Sequence, residues 1–177
     1  ESGCYCKHLN FNFQFNITSA GGLDINSFYG QRFKKTGVTF FVSRNTNKPF
    51  DPANISFTAI PKFERYTINP KLFLYFSDKT KLNIGINSTF ENRLGGDINF
   101  IKGNADSIHS YFERNKTKRL STQLTFDHQI NEESNLKIKN SISYFNRIIN
   151  SKGYTFNGTQ YSTFTEATYV NKMEKSD

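Results

Sequence analysis

The sequence predicts an all-β fold, a segment of an antiparallel up-and-down transmembrane β-barrel with about eight strands. Two observations carry this prediction. Apolar and polar residues alternate with a period of two along most of the chain, which is typical of strands whose two faces meet different surroundings. Short and long links also alternate between the segments, as they do in outer-membrane barrels.

The composition favours two-faced strands over helices. Hydrophobic residues make up only 36% of the 177 residues, whereas aromatic residues reach 16%, with 19 Phe and 9 Tyr. No run approaches the roughly 18 apolar residues of a membrane-spanning helix, so a membrane role would depend on strands. The net charge of +8 can attract nucleic acid or anionic lipid. Because Lys and Arg are scattered, we expect solvated links and no nucleic-acid partner.

The first segment is the stretch LNFNFQFNI, from Leu9 to Ile17. Every odd position is apolar, and every even position is Asn or Gln. Since successive side chains leave a strand on opposite faces, we expect the apolar side chains to face lipid and the amides to face a water-filled lumen.

Seven further segments continue this alternation, and the apolar residues of each segment share one face. In chain order they are Leu23, Ile25, Tyr29 and Phe33; Val38, Phe40 and Val42; Tyr66, Ile68, Pro70, Leu72, Leu74 and Phe76; Leu82, Ile84, Ile86 and Phe90; Leu120, Leu124, Phe126 and Ile130; Leu136, Ile138, Ile142, Tyr144 and Ile148; and a weaker series from Tyr161 to Tyr169. The opposite face carries the charges Asp24, Arg32, Lys71, Glu91, Asp127, Lys137, Lys139 and Arg147. A lipid-facing surface would enforce this segregation, because Arg or Lys near the bilayer midplane costs roughly 2–4 kcal/mol.

The links support the same interpretation. Short links, KKTG, SDKTK and NEES, alternate with long ones at 45–62, 93–116 and 149–160. Outer-membrane barrels have tight periplasmic turns and long extracellular loops. A soluble β-sandwich is the alternative, and its apolar faces would have to pair with each other. Pro70 lacks a backbone donor, so we expect a bulge or a sheet edge at that position.

The sequence contains no recognisable motif for catalysis, nucleotide binding or metal binding. We therefore expect no enzyme, no metal site and no cofactor. Ser107, His109 and Ser110 lie in one long link, where they could imitate a hydrolase pair, but nothing else supports that interpretation. Cys4 and Cys6 are too few for a zinc site and too close for an unstrained disulfide.

Four stretches resemble a known family: SFYGQRFKKTGVTFFVSRNTNKPFDP, IPKFERYTINPKLFLYFSDKTKLNIGIN, ENRLGGDINFIKG and SYFERNKTKRLSTQLTFDHQI. They are similar to the barrel of TonB-dependent outer-membrane receptors of Gram-negative bacteria, in the siderophore- and cobalamin-receptor-like branch. The resemblance covers nearly everything after residue 9. It implies a 22-stranded barrel closed by an N-terminal plug. The inner-membrane TonB complex would pull on this plug to drive uptake of a scarce ligand.

The chain also departs from that family pattern. No plug, no TonB box and no terminal strand ending in an aromatic residue can be recognised. We therefore expect residues 9–177 to form an internal part of such a barrel, surrounded by outer-membrane lipid, and residues 1–8 to be an unrelated or disordered tail. The TonB system would act through a plug domain that this chain does not contain. The alternative is a complete eight-stranded outer-membrane barrel with a structural or adhesion role.

The link from Arg93 to Lys116 is the candidate ligand-binding loop, because extracellular loops of such receptors contact the ligand. Its residues Arg93, Asp97, His109, Tyr111 and Arg114 can offer charge and aromatic rings to a polar small molecule. A metal chelate, a corrinoid or an oligosaccharide would each suit this chemistry.

Overall fold

The computed structural model describes residues 9–172, which form one sheet of eight strands. The strands are β1 (Leu9–Ile17), β2 (Gly22–Arg32), β3 (Thr36–Asn47), β4 (Lys62–Tyr75), β5 (Thr80–Gly96), β6 (Phe112–Gln129), β7 (Ser134–Ser151) and β8 (Tyr154–Asn171). Each strand is antiparallel to its neighbour in sequence. The predicted all-β, up-and-down architecture is therefore confirmed. The predicted tail, with Cys4 and Cys6, lies outside the described residues.

The strand register places apolar residues of neighbouring strands side by side. Phe11 lies opposite Tyr29, which lies opposite Phe40 on the next strand. In the middle of the sheet, Ile84 lies between Leu72 and Leu124. One face of the sheet, called the apolar face below, is thus lined by these residues. The opposite side, called the polar face, carries the alternate positions of each strand.

The apolar face has no protein partner among residues 9–172. No apolar side chain in this part of the chain is buried, and Phe11, Ile68 and Ile84 are 65%, 41% and 40% exposed. The soluble sandwich alternative needs a second sheet, and all the described strands belong to one sheet. An uncovered apolar surface of this extent marks an interaction with another surface or with a membrane.

The sheet is open. In the described structure, β1 pairs only with β2, and β8 pairs only with β7. All nine residues of β1 are exposed. Each terminal strand therefore presents a row of unpaired backbone N–H and C=O groups, which is the feature that allows a strand to take up a further partner.

The links divide into two ends of the sheet. The turn end carries the short links at 33–35, 76–79 and 130–133, and the loop end carries the links at 18–21, 48–61, 97–111 and 152–153. The short turns and two of the long links are therefore confirmed. The long link predicted at 149–160 is wrong, because only residues 152–153 separate β7 from β8. Gly153 adopts a φ of +75°, which suits a tight turn. The backbone ladder continues through residues 155–160, where the polar side chains of Asn157 and Thr159 occupy the apolar-face register.

The prediction for Pro70 is also wrong, because Pro70 lies inside the sheet and no bulge occurs there. It is paired with Phe40 on β3. The bridges between β4 and β5 are interrupted at Asn69 and Pro70, but the register is the same at Ile68–Ser88 and at Lys71–Gly85. The missing donor of proline is thus accommodated by a local gap in the ladder. The side-chain oxygen of Asn69 is buried there without a hydrogen-bond partner.

The link between β5 and β6 contains the helix α1 (Ile98–Lys102). Asp97 caps its N-terminus, and Gly103, with a φ of +88°, ends it in the left-handed conformation. No helix among residues 9–172 has the length and apolar character that crossing a membrane would require.

Gly96 allows β5 to enter this link. Its φ is +117°, and an added Cβ would lie 2.6 Å from the backbone oxygen of Tyr111. We expect Gly96→Ala to destabilise the chain by about 3 kcal/mol, since an unfavourable φ and a backbone clash both contribute. Equilibrium unfolding followed by far-ultraviolet circular dichroism measures this loss.

Gly103→Ala is the matched control for this substitution. Its φ is also positive, but an added Cβ meets nothing within 4 Å. We expect a cost of only about 1–2 kcal/mol, from the backbone conformation alone. Equal losses for the two variants would show that the contact with Tyr111 does not matter.

Candidate functional site

The polar face carries a group of arginines near the loop end, which is called the arginine cluster below. Arg65 on β4, Arg93 on β5, Arg119 on β6 and Arg147 on β7 line one cavity of about 450 Å³ together with Glu91. All of these residues occupy polar-face positions because side chains alternate along each strand. The register brings them together, since Arg65 lies opposite Glu91.

Glu91 neutralises only one side of this cluster. Its carboxylate forms ion pairs with Arg65 and with Arg93, and the Arg93 Nε lies 2.8 Å from Oε1. The side chain of Glu91 is 15% exposed, whereas Arg65 and Arg93 are 37% and 38% exposed. A single half-buried carboxylate thus holds two guanidinium groups at the wall of the cavity.

The other two arginines have no carboxylate within 4.0 Å among the described residues. The Arg119 guanidinium lies 4.8 Å from the ring centre of Phe145, a cation–π contact that leaves its N–H groups free to bind. Arg147 donates through Nε to the side-chain oxygen of Asn115 over 3.2 Å. Four cations and one anion therefore share the cavity.

A second cavity of about 510 Å³ continues along the polar face toward the turn end. It shares Thr89, Arg119 and Phe145 with the first cavity, and its other lining residues include the small polar side chains of Asn87 and Ser143. The two cavities together form a polar path along the sheet. Guanidinium groups at its loop end can bind carboxylate or phosphate oxygens in a bidentate way.

The five residues predicted to bind ligand do not form one site. Arg93 lies on the polar face within the arginine cluster, whereas Arg114 pairs with Leu94 and occupies the apolar-face register. Tyr111 is exposed, and its ring centre lies 6.0 Å from that of Phe57. The structure brings only Asp97 and His109 into direct contact.

Asp97 and His109 close the link between β5 and β6. His109 Nδ1 lies 2.8 Å from Asp97 Oδ2, and the Asp97 side chain is only 4% exposed. The other carboxylate oxygen of Asp97 accepts from the backbone N–H of Asn99 over 2.7 Å. Asp106 accepts from the backbone N–H of His109 over 2.6 Å. The two bonds of Asp97 join the far end of the link to the start of helix α1, and the bond of Asp106 fixes the turn before His109.

The contact between the two side chains shifts both pKa values. The hydrogen bond that His109 Nδ1 donates to Asp97 raises the pKa of His109, although partial burial opposes the change. The same bond lowers the pKa of Asp97, and the N–H group of Asn99 adds to this effect. The ion pair therefore stabilises the link most strongly at pH values above the ordinary pKa of an aspartate and below the ordinary pKa of a histidine.

The serine residues of this link do not form a hydrolase pair with His109 in the structure. The hydroxyl oxygen of Ser110 accepts from Lys152 Nζ over 2.9 Å, and His109 Nδ1 is already bound to Asp97. No group of three or more His, Cys, Asp or Glu side chains within residues 9–172 is arranged to hold a metal ion.

Comparisons with protein-family models, with curated proteins and with solved structures find no match to this chain. The similarity of the four sequence stretches to TonB-dependent receptors therefore stays a prediction.

The sequence pattern places Glu91 and Arg147 on the same face of their strands but does not show that they meet. The pattern of each strand gives the face of each side chain, whereas the register between strands decides which residues meet. Arg65 and Arg119 follow the same polar-face alternation. This alternation, combined with the hairpin register, is the signal that could have found the cluster.

We expect protection of the link against amide hydrogen exchange to fall as the pH rises through the folded-state pKa of His109. The pKa of His109 is raised, so its contribution is fully present below about pH 6.5, the ordinary value, and is lost above the folded value. Protection factors for Asn99 and Ile101, measured from roughly pH 6 to pH 9, report this loss.

His109→Gln should show the lower protection already at the acid end of this range and should have no pH step. His128→Gln is the control, because the Nδ1 of His128 contacts Thr80 at the turn end, far from helix α1. If the step persists in His109→Gln, another group controls the link.

Proposed function

We propose that the chain is part of the wall of an outer-membrane active-transport receptor that takes up a scarce ligand. The observation that carries the proposal is the single sheet with one uncovered apolar face and one polar, arginine-bearing face. A bilayer covers an apolar sheet face, while the opposite face of a wide barrel meets water.

The energetics of the apolar face support a lipid environment. Its strand positions expose Leu9, Phe11, Phe13, Phe15, Ile17, Phe40, Tyr66, Ile68, Leu72, Ile84, Ile86, Phe90, Leu120, Ile142, Tyr161 and Tyr169. Covering a large apolar side chain contributes about 1.5–3 kcal/mol. Because these side chains are already partly covered, the total for this face is on the order of 10–25 kcal/mol, a gain that lipid contact would supply.

Strand length supports the same proposal. Crossing a bilayer takes about 9–11 residues of a tilted strand, and β1 to β3 have 9, 11 and 12 residues. β6 to β8 have 18 residues each. The extra residues would project beyond the bilayer at the loop end, which in bacterial barrels faces the outside.

The arginine cluster favours an anionic ligand within the proposed class, such as a carboxylate-bearing metal chelate. Arg119 and Arg147 can offer N–H groups that no carboxylate of residues 9–172 occupies. In a receptor of this type, a plug domain would close the barrel and connect it to the TonB complex. None of residues 9–172 forms such a plug.

A complete eight-stranded barrel with a structural or adhesion role would require β1 to pair with β8. The described sheet is open between these two strands. Their open edges favour a larger barrel, in which further strands continue the sheet on both sides.

A charge on the apolar face tests the membrane part of the proposal. We expect Ile84→Arg to reduce insertion of the full chain into phosphatidylcholine vesicles by about 2–4 kcal/mol, because the arginine would have to enter the hydrocarbon. The measurement is the fraction of chain that resists protease after vesicle flotation.

Asn83→Arg is the matched control, since Asn83 is the neighbouring residue on the polar face and pairs with Phe73 and Thr125. We expect this variant to insert like the unmodified chain. Equal losses in both variants, or a full chain that never enters vesicles, would contradict the membrane proposal.

An anion titration tests the ligand-facing role of the polar face. Since hydrogen bonds to charged groups contribute about 1.5–3 kcal/mol each, we expect Arg119→Gln combined with Arg147→Gln to weaken binding of citrate at least about tenfold. Isothermal titration calorimetry on the detergent-folded full chain measures the affinity.

Lys116→Gln combined with Lys118→Gln removes the same charge from the apolar-face register, where these residues pair with Asn92 and Phe90. We expect this control to bind citrate like the unmodified chain. No citrate binding by the unmodified chain would contradict the role of the arginine cluster.

A further inference from the structure

The apolar face carries a second group of cations, all at the loop end. Lys62 on β4 and Arg114, Lys116 and Lys118 on β6 are exposed and occupy the apolar-face register. The three β6 residues follow one another at every second position, so their side chains leave the same face about 7 Å apart. These four residues are called the cationic band below.

The cationic band has no acidic partner among residues 9–172. None of its members lies within 4.0 Å of a carboxylate oxygen. The cross-strand neighbours on β5 are Leu94, Asn92 and Phe90. Glu64 lies two residues from Lys62 on the same face, but its carboxylate is paired with Arg44 over 2.7 Å and interacts with Lys62 only at longer range.

The cationic band borders a groove that is lined partly by apolar and partly by basic residues. Lys62 and Arg114 line this groove of about 950 Å³ together with Lys48 and Lys102, and Leu23, Leu94 and Ile101 supply its apolar part. A groove of this kind fits a molecule that has an anionic head and an apolar tail.

The cations are distributed asymmetrically along the apolar face. At the turn end, the strand positions on this face include Thr36, Thr80, His128, Leu136 and Tyr169. None of these five residues is Lys or Arg. If the sheet crosses a bilayer, the leaflet at the loop end meets cations on the apolar face of the strands, whereas the exposed lysines of the turn end, Lys34, Lys35, Lys79 and Lys172, lie in the turns and directly after β8.

We propose that the cationic band binds the phosphate groups of anionic lipids in the leaflet at the loop end. The inference rests on the proposed membrane-spanning sheet and adds a lipid partner to it. Clusters of Lys and Arg beside an apolar surface attract anionic headgroups, and each cation contributes roughly a fivefold gain in affinity. The apolar face below the band holds the acyl chains, while the band holds the headgroups.

Lipid retention by the detergent-folded full chain tests this inference. Native mass spectrometry counts the phosphatidylglycerol and phosphatidylcholine molecules that stay bound to the chain in a mixed micelle. We expect at least about tenfold stronger retention of phosphatidylglycerol. The variant with Lys62, Arg114, Lys116 and Lys118 all changed to Gln should lose this preference.

The matched control removes the same charge at the turn end, by changing Lys34, Lys35, Lys79 and Lys172 to Gln. These four residues are also exposed, and this variant should keep the preference. An equal loss in both variants would overturn the proposal, because net charge alone would then explain it. Should the band variant fail to fold, equal retention of the two lipids by the unmodified chain would overturn the proposal by itself.

Three further outcomes distinguish a lipid phosphate from free phosphate and separate this inference from the proposed function. Excess inorganic phosphate should not displace phosphatidylglycerol, and complete displacement would overturn the lipid inference in favour of a free-anion site. A chain that folds in detergent and inserts into vesicles but shows no lipid preference would overturn only this inference. A chain that never inserts would overturn the proposed function as well.

Discussion

The uncovered apolar face is the constraint on which the rest of the structure depends. Period-two alternation sends the apolar side chain of every second residue to one side, and the antiparallel register aligns those sides across eight strands. Because no second layer of the described chain packs on this face, the sheet cannot obtain its stability from a protein core. Its surroundings must supply the apolar contact that a core normally provides.

The same alternation places the charged side chains of the arginine cluster on the opposite face. Once the apolar positions are assigned to one side, Arg65, Arg93, Arg119 and Arg147 have to share the other side. Glu91 balances part of their charge, and Phe145 supports one guanidinium without neutralising it. A cation-rich wall beside small polar residues is thus a consequence of strand geometry as well as of composition.

The positions of most strands could be predicted from the sequence, because the alternation of apolar and polar residues marks each of them. The segment Leu9–Ile17 coincides with β1, and Ile84 lies among apolar neighbours as its pattern indicates. The link at 149–160 was predicted wrongly, since hairpin hydrogen bonds continue through residues such as Asn157 that break the side-chain pattern. The arginine cluster was not predicted because its members meet through the register of four strands, which the alternation within each strand does not supply by itself. The contact of Asp97 with His109 depends on how the link folds around helix α1, which no local pattern encodes.

The strictly sequential strand order also bears on how such a sheet assembles. Every pairing joins strands that are neighbours in the chain, so each closure brings together segments separated by one turn or loop and loses little chain entropy. The sheet can therefore grow by one hairpin at a time, with the newest strand always serving as the template for the next. Nothing in this pairing pattern limits the number of strands. That number is set only when an edge strand pairs with another strand and the sheet ends or closes.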